Sequence, residues 1–206
     1  MLDPEARQDP QQAADPTSGK LREPVLRVTA VLRAFGFKVF ENAGRPIYAT
    51  GETGHVSSPW RLTNLGQGPY QAASVFNFFR PGYFPANTEI ANRGLLAPEF
   101  QLVNETSVAG YVNFLERAIT GGRTPVADIA LDFASEVAIA QDSTALLDRL
   151  DLLLTGRQLS QSARDTIRTA MEDVVLTASS TNADRLRRVQ IGVALILAST
   201  DYLIQK

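Results

Sequence analysis

Asp142–Val175 reads DSTALLDRLDLLLTGRQLSQSARDTIRTAMEDVV. Leu146, Leu147, Leu150, Leu153 and Leu154 return every three or four positions, the period of one face of an α-helix. Asp142 or Ser143 supplies an N-cap oxygen and Gly156 a stop, so the spacing predicts a helix over 143–154. Ser160 starts another, with Ala163, Ile167, Ala170, Met171, Val174 and Val175 as its apolar stripe to about residue 178. A last helix over 183–200 is polar at its start and apolar nearly all round from Val189 to Ala198, the pattern of a helix at the centre of its core. These three are expected to pack as a carboxy-terminal bundle within 142–206.

Upstream, Leu21, Val25, Val28, Leu32 and Phe35 make one stripe, with Pro24 in the first turn and Gly36 at the stop, which predicts a helix over 23–35. Phe100, Val103, Val108, Tyr111, Val112, Leu115 and Ile119 predict a long helix over 98–120, ended at Gly121-Gly122. No stretch alternates long enough to build a sheet, although short extended pieces fit around Val39 and Ile129–Phe133. The expected class is mostly α, a single helical domain over 19–206. Residues 1–18, interrupted by Pro4, Pro10 and Pro16, read as a mobile arm.

The exception to this regularity is Pro59–Asn104, where half of the chain's aromatic residues sit among Pro, Gly and amides. Trp60, Tyr70, Phe76, Phe78, Phe79, Tyr83, Phe84 and Phe100 must bury their rings somewhere, so the segment reads as a long ordered loop rather than a linker.

Composition narrows the function classes. A formal charge of −2 over 206 residues provides no long-range field for a polyanion, which argues against nucleic acid as a partner. No cysteine means no disulfide, thiolate nucleophile or cysteine-ligated zinc. The amino terminus lacks the charged-then-apolar pattern of a signal peptide, and no apolar run reaches the roughly 18 residues of a membrane span.

Local constellations add little chemistry. The single histidine, His55, has Glu52 nearby but no third ligand by spacing, so no metal and no cofactor is expected. Leu65-Gly66-Gln67-Gly68-Pro69 lacks the residues of a nucleotide loop and reads as a tight turn. In Ser74–Tyr83, Pro81-Gly82 turns the chain between Arg80 and Tyr83. There Arg80 either anchors an anionic ligand beside aromatic rings or clamps the loop by pairing with Glu89 or Glu99. The clamp is favoured by the closeness of those two glutamates in sequence. Six positions apart on a continuous helix, Glu99 and Glu105 do not face one pocket, so they do not make an acid/base pair unless the helix is broken between them. Arg164, Arg168, Arg185, Arg187 and Arg188 sit among equally many aspartates and read as a mixed solvated face.

Three quoted stretches carry a family resemblance. GKLREPVLRVTAVLRAFG (19–36), LGQGPYQAASVFNFFRPGY (65–83) and LLAPEFQLVNETSVAGYVNF (95–114) together resemble the carboxy-terminal part of the bacterial "domain of unknown function 1800" family. The resemblance implies a longer, often exported parent protein, frequently encoded beside a sulfatase-like family, and it transfers no catalytic residue. It also implies that this chain lacks the amino-terminal part of its relatives. Two functions stand beside each other at this point. One is a non-catalytic helical interaction module that packs on the missing amino-terminal part or on a co-encoded exported protein. The other is a hydrolase-type enzyme with Gln67, Asn77, Arg80, Tyr83 and Glu99 lining a pocket under the 59–104 loop.

Overall fold

A computed structural model describes residues 19–39, 65–67, 72, 74–75, 77–120 and 129–205. Among them the fold is mostly α, with eight α-helices and four very short strands. In chain order these are β1 (Lys20–Leu21), α1 (Pro24–Phe35), β2 (Phe37–Val39), α2 (Glu89–Asn92) and, after a 3-10 segment at Pro98–Leu102, α3 (Glu105–Thr120). There follow β3 (Ile129–Leu131), α4 (Ala134–Ile139), α5 (Ser143–Thr155), α6 (Gln161–Glu172), α7 (Asn182–Ala198), α8 (Thr200–Leu203) and β4 (Ile204–Gln205). The strands form two antiparallel pairs: β1 on β4, with Leu21 opposite Ile204, and β2 on β3, with Lys38 opposite Ala130. The first pair ties the entry to α1 to the end of α8.

The core centres on α7, whose Val189, Val193, Ile196 and Leu197 are fully buried against α3, α4, α5 and α6. Gly192 permits the closest of these approaches. A Cβ there would lie 2.9 Å from both Leu150 Cδ1 and Met171 Sδ, two side chains with no room to move. One turn earlier, Arg188 is buried without a carboxylate. Its Nε donates to the Met171 carbonyl at 3.1 Å, Nη1 to Ala140 at 3.0 Å and Gln141 at 3.3 Å, and Nη2 to Val174 at 2.6 Å. These are carbonyls at or just beyond the ends of α4 and α6, which have no partner within their own helices and carry the negative end of the dipole.

That arginine accounts for one departure from the sequence reading. The helix expected to run to about 178 ends at Glu172, because the chain turns there to offer its carbonyls to Arg188, and Val175 is 77% exposed instead of joining the stripe. The helix expected over 183–200 is likewise two. The Ser199 hydroxyl accepts from the Tyr202 N–H and restarts the chain as α8. Helix α4 was not foreseen, since six residues are too few to show a period.

The largest departure lies in 98–120. Asn104 and Ser107 cap each other reciprocally, each side chain accepting the other's backbone N–H at 2.9 Å. The Ser107 hydroxyl also donates to the Leu102 carbonyl at 2.7 Å. These side chains compete with the helical ladder and break it at Val103-Asn104. The break swings the apolar stripe, so that Val103, Val108 and Val112 are 42%, 53% and 59% exposed.

Candidate functional site

None of the five residues that the sequence suggested for a pocket is among the described residues that line the cleft below. Gln67 is buried and engaged: its Oε1 accepts the Val25 N–H at 3.1 Å and its amide donates to Glu23. It therefore serves the exposed donors at the start of α1, where Glu23 makes no cap with its own side chain. Asn77 is exposed in a turn with φ of 73°. Arg80 is exposed too. Its backbone N–H donates to Gln101 Oε1 at 2.8 Å, and its carbonyl accepts the Tyr83 N–H at 3.0 Å across the Pro81-Gly82 turn. The Tyr83 carbonyl in turn accepts from Ala97 at 2.9 Å. Glu99 is half-buried on the 3-10 segment.

The clamp expected at Arg80 is not made. Glu89 pairs with Arg93 one helical turn away at 2.8 Å, and among the described residues Arg80 has no carboxylate partner. Glu99 and Glu105 do lie on either side of a helix break, yet neither lines a cleft described below.

A cleft of about 290 Å³ lies where α1, the 3-10 segment, α3 and the α7–α8 junction meet. Leu65, Phe100, Leu102, Leu115 and Leu203 form its wall, and the exposed Val108 and Val112 lie along its edge. Its polar lining is short. Ser107 Oγ is committed to Leu102, and the Tyr111 hydroxyl donates to the Leu197 carbonyl at 2.9 Å. Among the described residues, Arg27 is the only charged one on the wall.

Arg27 is held in place without being neutralised. Its Nε donates to the Arg22 carbonyl at 2.6 Å and its guanidinium lies 5.0 Å from the Tyr111 ring centroid. Arg22 lies 4.5 Å from the Tyr202 ring centroid, and the Tyr202 hydroxyl donates to the Arg27 carbonyl at 2.7 Å. Glu23, one helical turn before Arg27 and so its natural ion-pair partner, is turned toward Gln67 instead. Burial lowers the pKa of Arg27, and the neighbouring Arg22 adds to this. Burial also pushes the Tyr202 phenol up to about 12 and that of Tyr111 higher still. Both rings are therefore neutral hydroxyls over the whole physiological range.

The model of the family described as protein of unknown function, DUF1800, matches residues 1–204. The chain belongs to that family. No curated protein and no solved structure matched it. In this DUF1800 member no group of three or more metal-binding side chains occurs among the described residues. No described helix is long and apolar enough to cross a membrane. His55, Glu52, Trp60, Tyr70, Phe76, Gly68-Pro69, Gly121-Gly122 and the arm at 1–18 lie outside the described residues. The arginines of the last helices are mostly committed: Arg164 to Asp148 and Asp151, Arg168 to Asp165, and Arg188 to carbonyls.

The cleft was missed in the sequence for an identifiable reason. By spacing alone Val103, Val108 and Val112 fit a buried stripe, and the signal that contradicts this is the Asn104–Ser107 spacing of a cap inside an apparently continuous helix.

Proposed function

We propose that this chain is a binding module, without a catalytic role of its own, that works through the apolar cleft between α1 and α3. Its setting in a longer, exported bacterial protein rests on the family resemblance. One observation carries the reading: three valines of a helical stripe stand exposed beside a concave apolar surface. A monomer that buried every stripe for stability alone would turn them inward. Their exposure keeps an apolar surface open beside Arg27.

The test uses a neutral apolar fluorophore, N-phenylnaphthylamine, with the full chain. One saturable site is expected, and Val108→Glu together with Val112→Glu should abolish it. Both positions are exposed, so the double variant should keep its unfolding free energy within about 1 kcal/mol. Absence of saturable dye binding to the wild type, or unchanged binding in the double variant, overturns the reading.

A further inference from the structure

We infer that the cleft takes a medium-chain amphiphile with a carboxylate head, its alkyl tail along α3 and its head on the guanidinium of Arg27. The inference rests on the binding-module reading and specifies what that surface holds.

The first argument is charge. Arg22, just before α1, and Arg27, within it, lie five positions apart in the chain. Each is stacked on a tyrosine ring, and among the described residues neither has a carboxylate partner. Burial lowers the pKa of Arg27, and the Arg22 guanidinium lowers it further by a smaller amount, since two like charges disfavour one another. The obvious intramolecular relief was available and is not used: Glu23 is held by the Gln67 amide. Arg27 spends Nε on the Arg22 carbonyl, and no acceptor for its terminal nitrogens occurs among the described residues. Those nitrogens are not sealed away, because the one buried side-chain nitrogen or oxygen without a partner among the described residues is Arg185 Nε. They therefore reach solvent, from which an anion can meet them, and the fork of a guanidinium matches a carboxylate's two oxygens.

The second argument is what surrounds the charge. Ser107 and Tyr111 have their hydroxyls directed at main-chain carbonyls, so among the described residues the wall offers no further side-chain hydroxyl for a sugar or a peptide backbone. Leu65, Phe100, Val108, Val112, Leu115 and Leu203 offer only apolar surface. Described lining that joins one cation to apolar side chains complements a ligand built the same way. The volume, about 290 Å³, sits at the lower edge of the roughly 300 to 1,000 Å³ of small-molecule sites. It suits one chain of moderate length rather than a two-chain lipid.

Titration calorimetry with three probes of matched tail tests this on the full chain: decanoate, decanol and decyltrimethylammonium, each below its aggregation concentration. One decanoate is expected per chain, bound at least tenfold tighter than decanol, as one charge-assisted contact would give. The cation should bind more weakly than decanol. Arg27→Met should bring decanoate to the decanol level and leave decanol unchanged. Val108→Glu should weaken both. If decanoate and decanol bind equally to the wild type, the head-group assignment is overturned while the apolar site stands. If neither binds, the binding-module reading falls with it. The three-probe comparison is made on the wild type, so it decides the question even if Arg27→Met does not fold.

Discussion

The carboxy-terminal helices α5 to α8 and the segment 77–104 are held together in opposite ways. In α5 to α8 each helix start is closed by a nearby side chain: Asp142, Ser160, Thr181 with Asp184, and Ser199. The helices then bury a continuous apolar interior. In 77–104 the regular structure is one four-residue helix and the short 3-10 segment, and the described chain is positioned by single bonds to its backbone, as Gln101 does for Arg80 and Ala97 for Tyr83. The first region has many redundant contacts and the second has few. Losses should therefore be large and cooperative in one and small and local in the other.

The sharpest way to break the helical region is at Arg188. Arg188→Met keeps an apolar stem but takes the side-chain donor from four carbonyls, of which that of Met171 keeps the Val174 N–H, and should cost about 3 to 5 kcal/mol in denaturant unfolding. A loss under 1 kcal/mol would mean that water replaces the guanidinium and that the cap is dispensable.

Overpacking the same region should cost somewhat less. Gly192→Val drives methyl groups into Leu150 and Met171, where even a Cβ is too close, and about 2 to 3 kcal/mol of destabilisation is expected. An unchanged melting midpoint would show that the α5–α7 contact is looser than these distances imply.

Alkali separates the junction at α1 from both regions. The Tyr202 phenol titrates near 10 when unfolded and about 12 when folded. The neutral form is the one the fold holds, so its contribution is full below pH 10 and is lost as pH rises toward 12. At stake is about 2 to 3 kcal/mol. Phenolate absorbance should show Tyr111 and Tyr202 ionising only with unfolding, and free titration of all five tyrosines near pH 10 in the folded chain would sink this account.

Gln67 tests how the irregular region is attached. Gln67→Ala leaves the Val25 N–H without its partner, and a cost of about 1 to 2 kcal/mol is expected from equilibrium unfolding. An unaffected midpoint would mean that water caps α1 equally well. The smallest effect belongs to Arg80. Its side chain is exposed and pairs with neither Glu89 nor Glu99, so Arg80→Met should stay within about 0.5 kcal/mol of the wild type. A loss above 1.5 kcal/mol would restore the clamp.

Much of the helical fold was legible in the sequence because its determinants are local. Caps lie within three residues of the groups they satisfy, stripes repeat within a few turns, and α1, α5 and the body of α7 occur close to where those patterns put them. Helix ends were less legible. The end of α6 depends on Arg188, sixteen positions beyond Glu172, and the break before α3 depends on whether Ser107 bonds its own ladder or Asn104.

The cleft was not legible at all. Gln67 and Glu23 are separated by 44 positions, and only folding brings them together and so leaves Arg27 without a carboxylate. The amino-acid sequence alone determined that this chain is mostly helical and which faces are apolar, because those properties follow from spacing along one chain. Which apolar residues stay exposed, and which charge stays unpaired beside them, was decided by tertiary structure. A burial or an ion pair is a property of two surfaces meeting, and the meeting is set by long-range packing.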